Sequence, residues 1–269
     1  MNRRASFYKE TLAAWIPHQE ASILVVGGGS TDRDVLLACG FHHVVISNLD
    51  ARLQGNEFAP FRWSFQDAER LTYPDNHFDY VVVHAALHHC SSPHRALQEM
   101  YRVARYGLVA LESRDSFLMR LVEALGLTLS YEHSAVFFNG CKFGGVNNTA
   151  IPNHVYRWTE REIEKSVRSY DPTGVQSFSY RYGYDLPSVV DLESGSRLKP
   201  VAVRALTPFY RLFAFLLPKQ QNLFAFMVRK PAIPEDLHPW LRVQEGGIGF
   251  NEDWGRRRYK DAPNSSGQQ

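Results

Sequence analysis

The stretch that decides the fold is Ser-Ile-Leu-Val-Val-Gly-Gly-Gly-Ser-Thr, residues 22–31. Its first half, Ser22 to Val26, is nearly all apolar, which is typical of a strand buried on both faces of a parallel sheet. Three glycines follow at once, and a helix is predicted next, with Thr31 as its N-cap. A second apolar run, Val44 to Ser47, comes directly after that helix. Strand, glycine loop, helix and strand together predict a βαβ unit.

The same alternation continues along the chain. Further strands are predicted from apolar or alternating patterns at 61–65, 78–83, 107–111, 175–184 and 222–228. Helices are predicted between them, including one that begins at Ser92-Pro93 and one that begins at Thr159. Strands that alternate with helices in this way indicate an α/β fold, a doubly wound parallel sheet with helices on both faces.

Composition narrows the range of functions. The 269 residues carry 30 basic and 28 acidic side chains, a net charge of +2, which argues against a dedicated nucleic-acid binder. Cys39, Cys90 and Cys141 are scattered and lack metal-ligand spacing, so we expect reduced thiols in a cytoplasmic protein. We expect no export signal and no membrane span, because charged residues interrupt the apolar runs.

The glycine loop predicts a site for a nucleotide-like ligand. Glycines let the backbone approach a ligand closely, and the start of the following helix offers unpaired N–H groups. In such sheets the ligand lies outside the carboxyl ends of the strands, where the strand order reverses. Two common types of nucleotide-binding loop are excluded by the sequence. Asp32 stands where a dinucleotide fingerprint needs its last glycine, and the Gly-Lys-Ser/Thr of a P-loop is absent.

Four motifs, in order, carry a resemblance to a known family. They are the glycine stretch Ile23–Thr31, Asp-Ala-Glu-Arg-Leu-Thr-Tyr-Pro-Asp at 67–75, Phe-Asp-Tyr-Val-Val-Val-His-Ala-Ala-Leu-His-His at 78–89, and Glu-Met-Tyr-Arg-Val at 99–103. Their order and spacing resemble those of the class I S-adenosyl-L-methionine-dependent methyltransferases with small-molecule acceptors. The resemblance implies a Rossmann-like sheet of seven strands, mostly parallel with an antiparallel last strand, which 222–228 would supply.

The resemblance also implies contacts with the cofactor, S-adenosyl-L-methionine. Its methionine part would lie over the glycine loop, Asn48 would face its ribose hydroxyls, and Asp67 would bind its adenine amino group. Ala68 would pack nearby, and His84 would line the space near the transferable methyl. The implied cofactor-binding residues are therefore Gly27, Gly28, Gly29, Asn48, Asp67, Ala68 and His84.

Three positions depart from the family pattern. Val25 replaces the usual acid of the first motif, Thr31 replaces its third glycine, and Asn48 replaces the acid that holds the ribose. An amide can still bond two hydroxyls, but it lacks the charge that strengthens such bonds. A non-catalytic binding or scaffold protein on the same fold is therefore the alternative to an enzyme.

Methyl transfer requires alignment rather than a protein nucleophile, but a hydroxyl acceptor must lose a proton to a base. For each candidate base, packing, solvation or a structural salt bridge is the competing interpretation. The candidates are His84, His133, His154 and Glu112. We expect no metal, because the doublet His88-His89 does not place both rings on one helix face.

The expected function is S-adenosylmethionine-dependent methylation of a small polar molecule, as O-methylation of a sugar or secondary metabolite. A quinone or lipid acceptor is the alternative, and a nucleic-acid substrate is not expected. The apolar helix at 209–217 would cover a sheet, a homodimer partner or, weakly, a membrane surface. We expect a methyltransferase domain at 1–230, with an acceptor-pocket excursion at 114–158, and a C-terminal tail at 231–269.

Overall fold

The computed structural model describes residues 2–185 and 198–259. Strands from these residues form a central sheet: β1 (Ile23–Val26), β2 (Val44–Asn48), β3 (Arg62–Phe65), β4 (Phe78–His84), β5 (Ala104–Ser113), β6 (Ser177–Gly183) and β7 (Leu223–Arg229). Their order is β3-β2-β1-β4-β5-β7-β6. Neighbours from β3 to β5 are parallel, and β7 is antiparallel to both β5 and β6. The predicted fold class, with its antiparallel last strand, is confirmed.

Helices cover both faces of the sheet. Those in the described residues are α1 (Arg3–Trp15), α2 (Ser30–Ala38), α3 (Pro93–Val103), α4 (Phe117–Ala124), α5 (His133–Phe138), α6 (Glu160–Tyr170), α7 (Leu198–Leu216) and α8 (Glu252–Arg258). On one face, α3 and α6 pack over a core that includes Trp158. On the other, α1 and α2 bury Tyr8, Leu12 and Leu36. Alternate residues of β1 belong to the two cores, which explains why that strand is apolar throughout.

The topology opens a crevice at the carboxyl edge of the sheet. β1 pairs with β2 on one side and with β4 on the other, so the chain connections leave it in opposite directions. A ligand site is expected outside the carboxyl ends of strands at such a switch point. The glycine loop after Val26 and the segment after His84 lie at this edge.

Two helices differ from the prediction. α2 begins at Ser30 with Gly29 as its N-cap, so the predicted N-cap at Thr31 is wrong. The reason is the Asp32 carboxylate, which accepts the Gly29 N–H at 2.8 Å. α7 begins at Leu198 and runs through Pro208, so it starts well before the apolar helix that the sequence predicts at 209–217.

The segment predicted to be a tail has structure of its own. It contains the antiparallel hairpin of β8 (Leu241–Gln244) and β9 (Gly247–Phe250), followed by α8. Residues 260–269 of that prediction lie outside the described residues. Among the helices that the structure describes, none combines the length and the apolar character needed to cross a bilayer.

The Glu-Met-Tyr-Arg-Val motif ties α3 to the loop that carries Asp67. Arg102 donates to the backbone carbonyls of Leu71 and Tyr73 at 2.9 and 2.8 Å. It also binds the Glu99 carboxylate through two nitrogens, at 2.8 and 2.9 Å. Glu99 in turn accepts the Leu71 N–H at 3.0 Å. The motif therefore anchors the loop at the end of β3.

Replacing Arg102 with Lys should destabilise the fold by about 1–3 kcal/mol, because one ammonium cannot satisfy two carbonyls and a bidentate carboxylate. Urea unfolding measures the change. The matched control is Arg105→Lys, since Arg105 is half-exposed and makes an ion pair with Asp79 only through one nitrogen. Equal losses of unfolding free energy in the two variants would contradict the anchoring role of Arg102.

Candidate cofactor and acceptor site

The glycine loop is shaped by close backbone approach on one side and open space on the other. Gly27 has φ +64°, and a Cβ there would lie 2.4 Å from the Cβ of Ala86. At Gly29, by contrast, no atom lies within 4 Å of an added Cβ. The loop therefore needs glycine where it meets the segment after β4, and its far side can receive a ligand.

Asn48, at the end of β2, braces the glycine loop. Its amide nitrogen donates to the Gly28 carbonyl at 3.0 Å, and its amide oxygen accepts the Asp50 N–H at 3.2 Å. The amide nitrogen has two hydrogens, of which the Gly28 bond uses one. Asp50 is the nearby acid that could hold the ribose in place of Asn48. It cannot do so without losing its ion pair, because Arg52 binds its carboxylate at 2.6 and 2.8 Å.

Asp67 and Ala68 follow β3 and are half-buried at the same edge. One Asp67 oxygen accepts the Glu69 N–H at 2.9 Å, which holds the carboxylate in a turn. The structure thus brings the glycine loop, Asn48 and Asp67 to the ends of three adjacent strands.

A buried cluster of Tyr8, Asp32 and His84 adjoins the glycine loop. The Tyr8 ring stacks on the His84 ring with centroids 4.6 Å apart, and His84 Nδ1 lies 3.8 Å from an Asp32 oxygen. The Tyr8 hydroxyl, Asp32 Oδ1 and His84 Nε2 are buried without a hydrogen-bond partner. The resemblance had indicated His84, whereas Tyr8 and Asp32 were missed as site residues. Tyr8 comes from α1, which is distant in sequence from both partners.

Burial changes the proton affinity of this cluster. It raises the pKa of Asp32 to about 6, although the Gly29 N–H opposes the shift. Burial also lowers the pKa of His84 to about 4, and the positive charge of Arg4 acts in the same direction. His84 is therefore neutral near pH 7, with a pKa too low for an efficient base at that pH.

Glu112, a candidate base, is buried and engaged at the end of β5. One of its oxygens accepts the N–H groups of Ala86 and Leu87 at 3.0 and 2.8 Å. The other contacts His88 Nδ1 at 2.9 Å. These contacts include a buried ion pair with His88, and a catalytic role of Glu112 stays a prediction. The contribution of Glu112 is to position the segment after β4.

The other two candidate bases lie elsewhere. His133 and His154 are exposed, and both rings lie against Tyr131, at centroid distances of 6.4 and 5.3 Å. No hydrogen bond of the described residues joins either of them to His84 or Glu112. Their catalytic role stays a prediction.

An apolar groove adjoins the cofactor edge. It has a volume of about 720 Å³ and lies between α4, α7 and the carboxyl end of β5. Ser113, Arg4, Glu132 and Arg157 contribute polar groups to it. Most of its lining is apolar and includes Leu118, Leu121, Leu125, Phe209, Leu212 and Phe213.

Asp32→Asn should change how stability depends on pH. The folded-state pKa of Asp32 is raised above its unfolded value, so its stabilising contribution is complete below about pH 4 and is lost as pH rises through about 6. The stability of Asp32→Asn relative to the wild type should therefore rise by about 2–3 kcal/mol between these limits. Urea unfolding at several pH values measures it. Asp34→Asn, at an exposed position of the same helix, is the matched control.

Comparisons with known proteins agree with this geometry. Residues 34–110 match a family model described as a methyltransferase domain. A curated relative, the ubiquinone/menaquinone biosynthesis C-methyltransferase UbiE of Hydrogenovibrio crunogenus, is 42% identical over 52 residues. That match covers 19% of this chain and 20% of the relative's length.

One solved structure supports the fold, and a second shows similarity alone. The YcgJ protein of Bacillus subtilis is 13% identical with a TM-score of 0.52, over 85% of this chain and 98% of that one. A SAM-dependent methyltransferase from Archaeoglobus fulgidus is also 13% identical, with a TM-score of 0.49, over 84% of this chain and 94% of that one.

The edge of the sheet fits S-adenosylmethionine. Gly29 leaves room beside the backbone, Asn48 retains a donor, and the half-buried Asp67 carboxylate offers an acceptor for an amino group. The match over residues 34–110, together with the fold, supports a methyltransferase domain of the class I S-adenosylmethionine-dependent type, with S-adenosylmethionine as its cofactor.

Proposed function

We propose that the protein transfers a methyl group to an acceptor with a large apolar part, of the quinone or lipid class. The observation that carries the proposal is the apolar groove between α4 and α7. Its volume of about 720 Å³ falls within the usual range of small-molecule sites. A sugar would leave most of that apolar lining without a partner.

The position of the groove supports transfer from the cofactor edge. Ser113, at the carboxyl end of β5, lines the groove, and β5 lies beside β4, which ends at His84. Arg4 of α1 also lines the groove and acts electrostatically on His84. The proposed acceptor site and cofactor site therefore share one edge of the sheet.

The cofactor supplies an activated methyl on a positively charged sulfur, and the protein supplies alignment and a dry site. The apolar side chains of α4 and α7 would hold the acceptor and exclude water. Tyr8, packed on His84, closes the buried side of the crevice. All of these roles position the reactants and none requires a base. His84, which is buried and neutral near pH 7, can therefore contribute by packing alone.

The relative UbiE is named for quinone biosynthesis, and the local match with it lends support to this acceptor class. The hydroxylated acceptor expected from the sequence is the second candidate. Polar side chains of Arg157, Tyr210 and Asn222 also line the groove and could orient hydroxyl groups.

Exposed apolar side chains surround the groove and support a weak contact with a membrane surface. Phe117, Phe209 and Phe215 are each more than two-thirds exposed, at 68%, 72% and 78%. Across residues 198–219 the sequence has Lys199, Arg204, Arg211 and Lys219 but no acidic residue. A helix with exposed phenylalanines and a basic sequence suits an anionic bilayer, from which a lipid-like acceptor would enter. A homodimer that covers the same face is the competing arrangement.

Calorimetric titration with S-adenosylmethionine should show binding by the wild type. Asp67→Ala should weaken it by about 1–3 kcal/mol, because a charged hydrogen-bond acceptor is lost. Glu20→Ala, a highly exposed position, serves as the control and should bind as the wild type does. A wild type that does not bind, together with an Asn48→Asp variant that does, would support the scaffold alternative instead.

Leu121→Asp should lower the turnover of a short-chain prenylated quinol at least tenfold, because it places a charge in the apolar groove. Affinity for S-adenosylmethionine should stay unchanged in the same variant. Val243→Asp, on the exposed hairpin, is the control for an added surface charge. If the protein methylates a sugar but not the quinol, and Leu121→Asp leaves that activity unchanged, the sugar-type acceptor is favoured instead.

A further inference from the structure

A cluster of His88, His89 and Glu132 lies beside the groove. The two histidines occupy a single 3₁₀ turn, Leu87–His89, that follows β4. Glu132 comes from the excursion and is the N-cap residue of α5. One Glu132 oxygen lies 3.3 Å from His88 Nε2 and 3.2 Å from His89 Nε2. The 3₁₀ turn, unlike an α-helix, lets adjacent residues direct their rings to one point.

The surroundings fix the direction of the ligand atoms. Glu112 binds Nδ1 of His88 at 2.9 Å, which leaves Nε2 to face Glu132. A carboxylate on the far nitrogen is the usual way in which proteins orient a histidine that binds a metal. The Asn153 amide donates to the same Glu132 oxygen at 3.3 Å, so this carboxylate is also held in place.

The distances suit a small transition-metal ion. Ligands about 2.0–2.1 Å from a tetrahedral zinc ion lie roughly 3.3 Å from one another. The two nitrogen–oxygen separations in the cluster, 3.3 and 3.2 Å, match that value. All three ligand atoms lie within 4.8 Å of one another. The carboxylates of Glu112 and Glu132 supply negative charge on both sides of His88.

We propose that Nε2 of His88, Nε2 of His89 and the carboxylate of Glu132 bind a divalent transition-metal ion, with zinc as the best fit. Three protein ligands leave the fourth tetrahedral position for water or another ligand. Because Glu132 also lines the apolar groove, that position lies near the proposed acceptor site. Binding requires both Nε2 atoms to be unprotonated, so any proton there is released to solvent.

The sequence predicts no metal, because adjacent histidines on an α-helix do not direct both rings to one point. In the structure these histidines lie on a 3₁₀ turn, and Glu132, 43 positions beyond His89 in the chain, lies against both rings.

The test is metal binding by the full chain after removal of metals with a chelator. Zn²⁺ titrated by calorimetry should bind at a single equivalent, and Co²⁺ should give the intense visible absorption of a tetrahedral site. Mg²⁺, which prefers oxygen ligands, should not bind. His89→Ala and Glu132→Gln should each lower Zn²⁺ affinity by about 10–100-fold. Both side chains are partly exposed, so these variants should fold, which circular dichroism verifies.

The matched control is His43→Ala. His43 also pairs with a glutamate, Glu20, at 3.2 Å, but this pair is exposed, and no third metal ligand joins it among the residues that the structure describes. Its loss should leave Zn²⁺ affinity unchanged. Failure of the wild type to bind Zn²⁺ would overturn the proposal. So would binding that persists in both cluster variants and is abolished by alkylating the three cysteines. These outcomes are independent of S-adenosylmethionine binding and therefore of the proposed function.

Discussion

The site depends on one buried interaction, between the Glu112 carboxylate and the segment that follows β4. That carboxylate accepts two successive backbone N–H groups and holds the His88 ring. The segment needs such an anchor, because Ala85 adopts φ +52°, which is unfavourable for a residue with a side chain. The position of Ala86, fixed in this way, leaves no room for a side chain at Gly27. Removing the carboxylate would leave buried donors without partners and release both sides of the crevice.

Around this anchor the carboxyl edge divides into three adjoining regions. The glycine loop, Asn48 and Asp67 form the cofactor side. Tyr8 and His84 close the buried side, and the apolar groove lies toward α4 and α7. The candidate metal cluster shares His88 with the Glu112 anchor and Glu132 with the groove. The sheet edge thus brings together groups from the first helix, five strand ends and the excursion.

Local patterns predicted much of the fold because burial and periodicity are local properties of the chain. The continuous apolar run of β1 was sufficient to predict a strand buried on both faces. The helix start was missed by two residues, because the Asp32 side chain caps Gly29 and moves the boundary. The course of α7 through Pro208 was also missed, since a proline signals a helix start and an interruption equally well.

The sequence by itself determined the βαβ unit, and its short motifs carried the resemblance that implied the methyltransferase family and the antiparallel last strand. The cofactor residues came from the same motifs, except Asn48, which came from the end of the second strand, and their roles stay predictions. Only the tertiary structure decided that Asp32 faces His84 and Tyr8, that Glu112 is already engaged, and that Glu132 meets the His88-His89 doublet. The physical reason is that these contacts join groups far apart in the chain. Side-chain proximity at a sheet edge depends on strand order and loop path, neither of which leaves a local pattern.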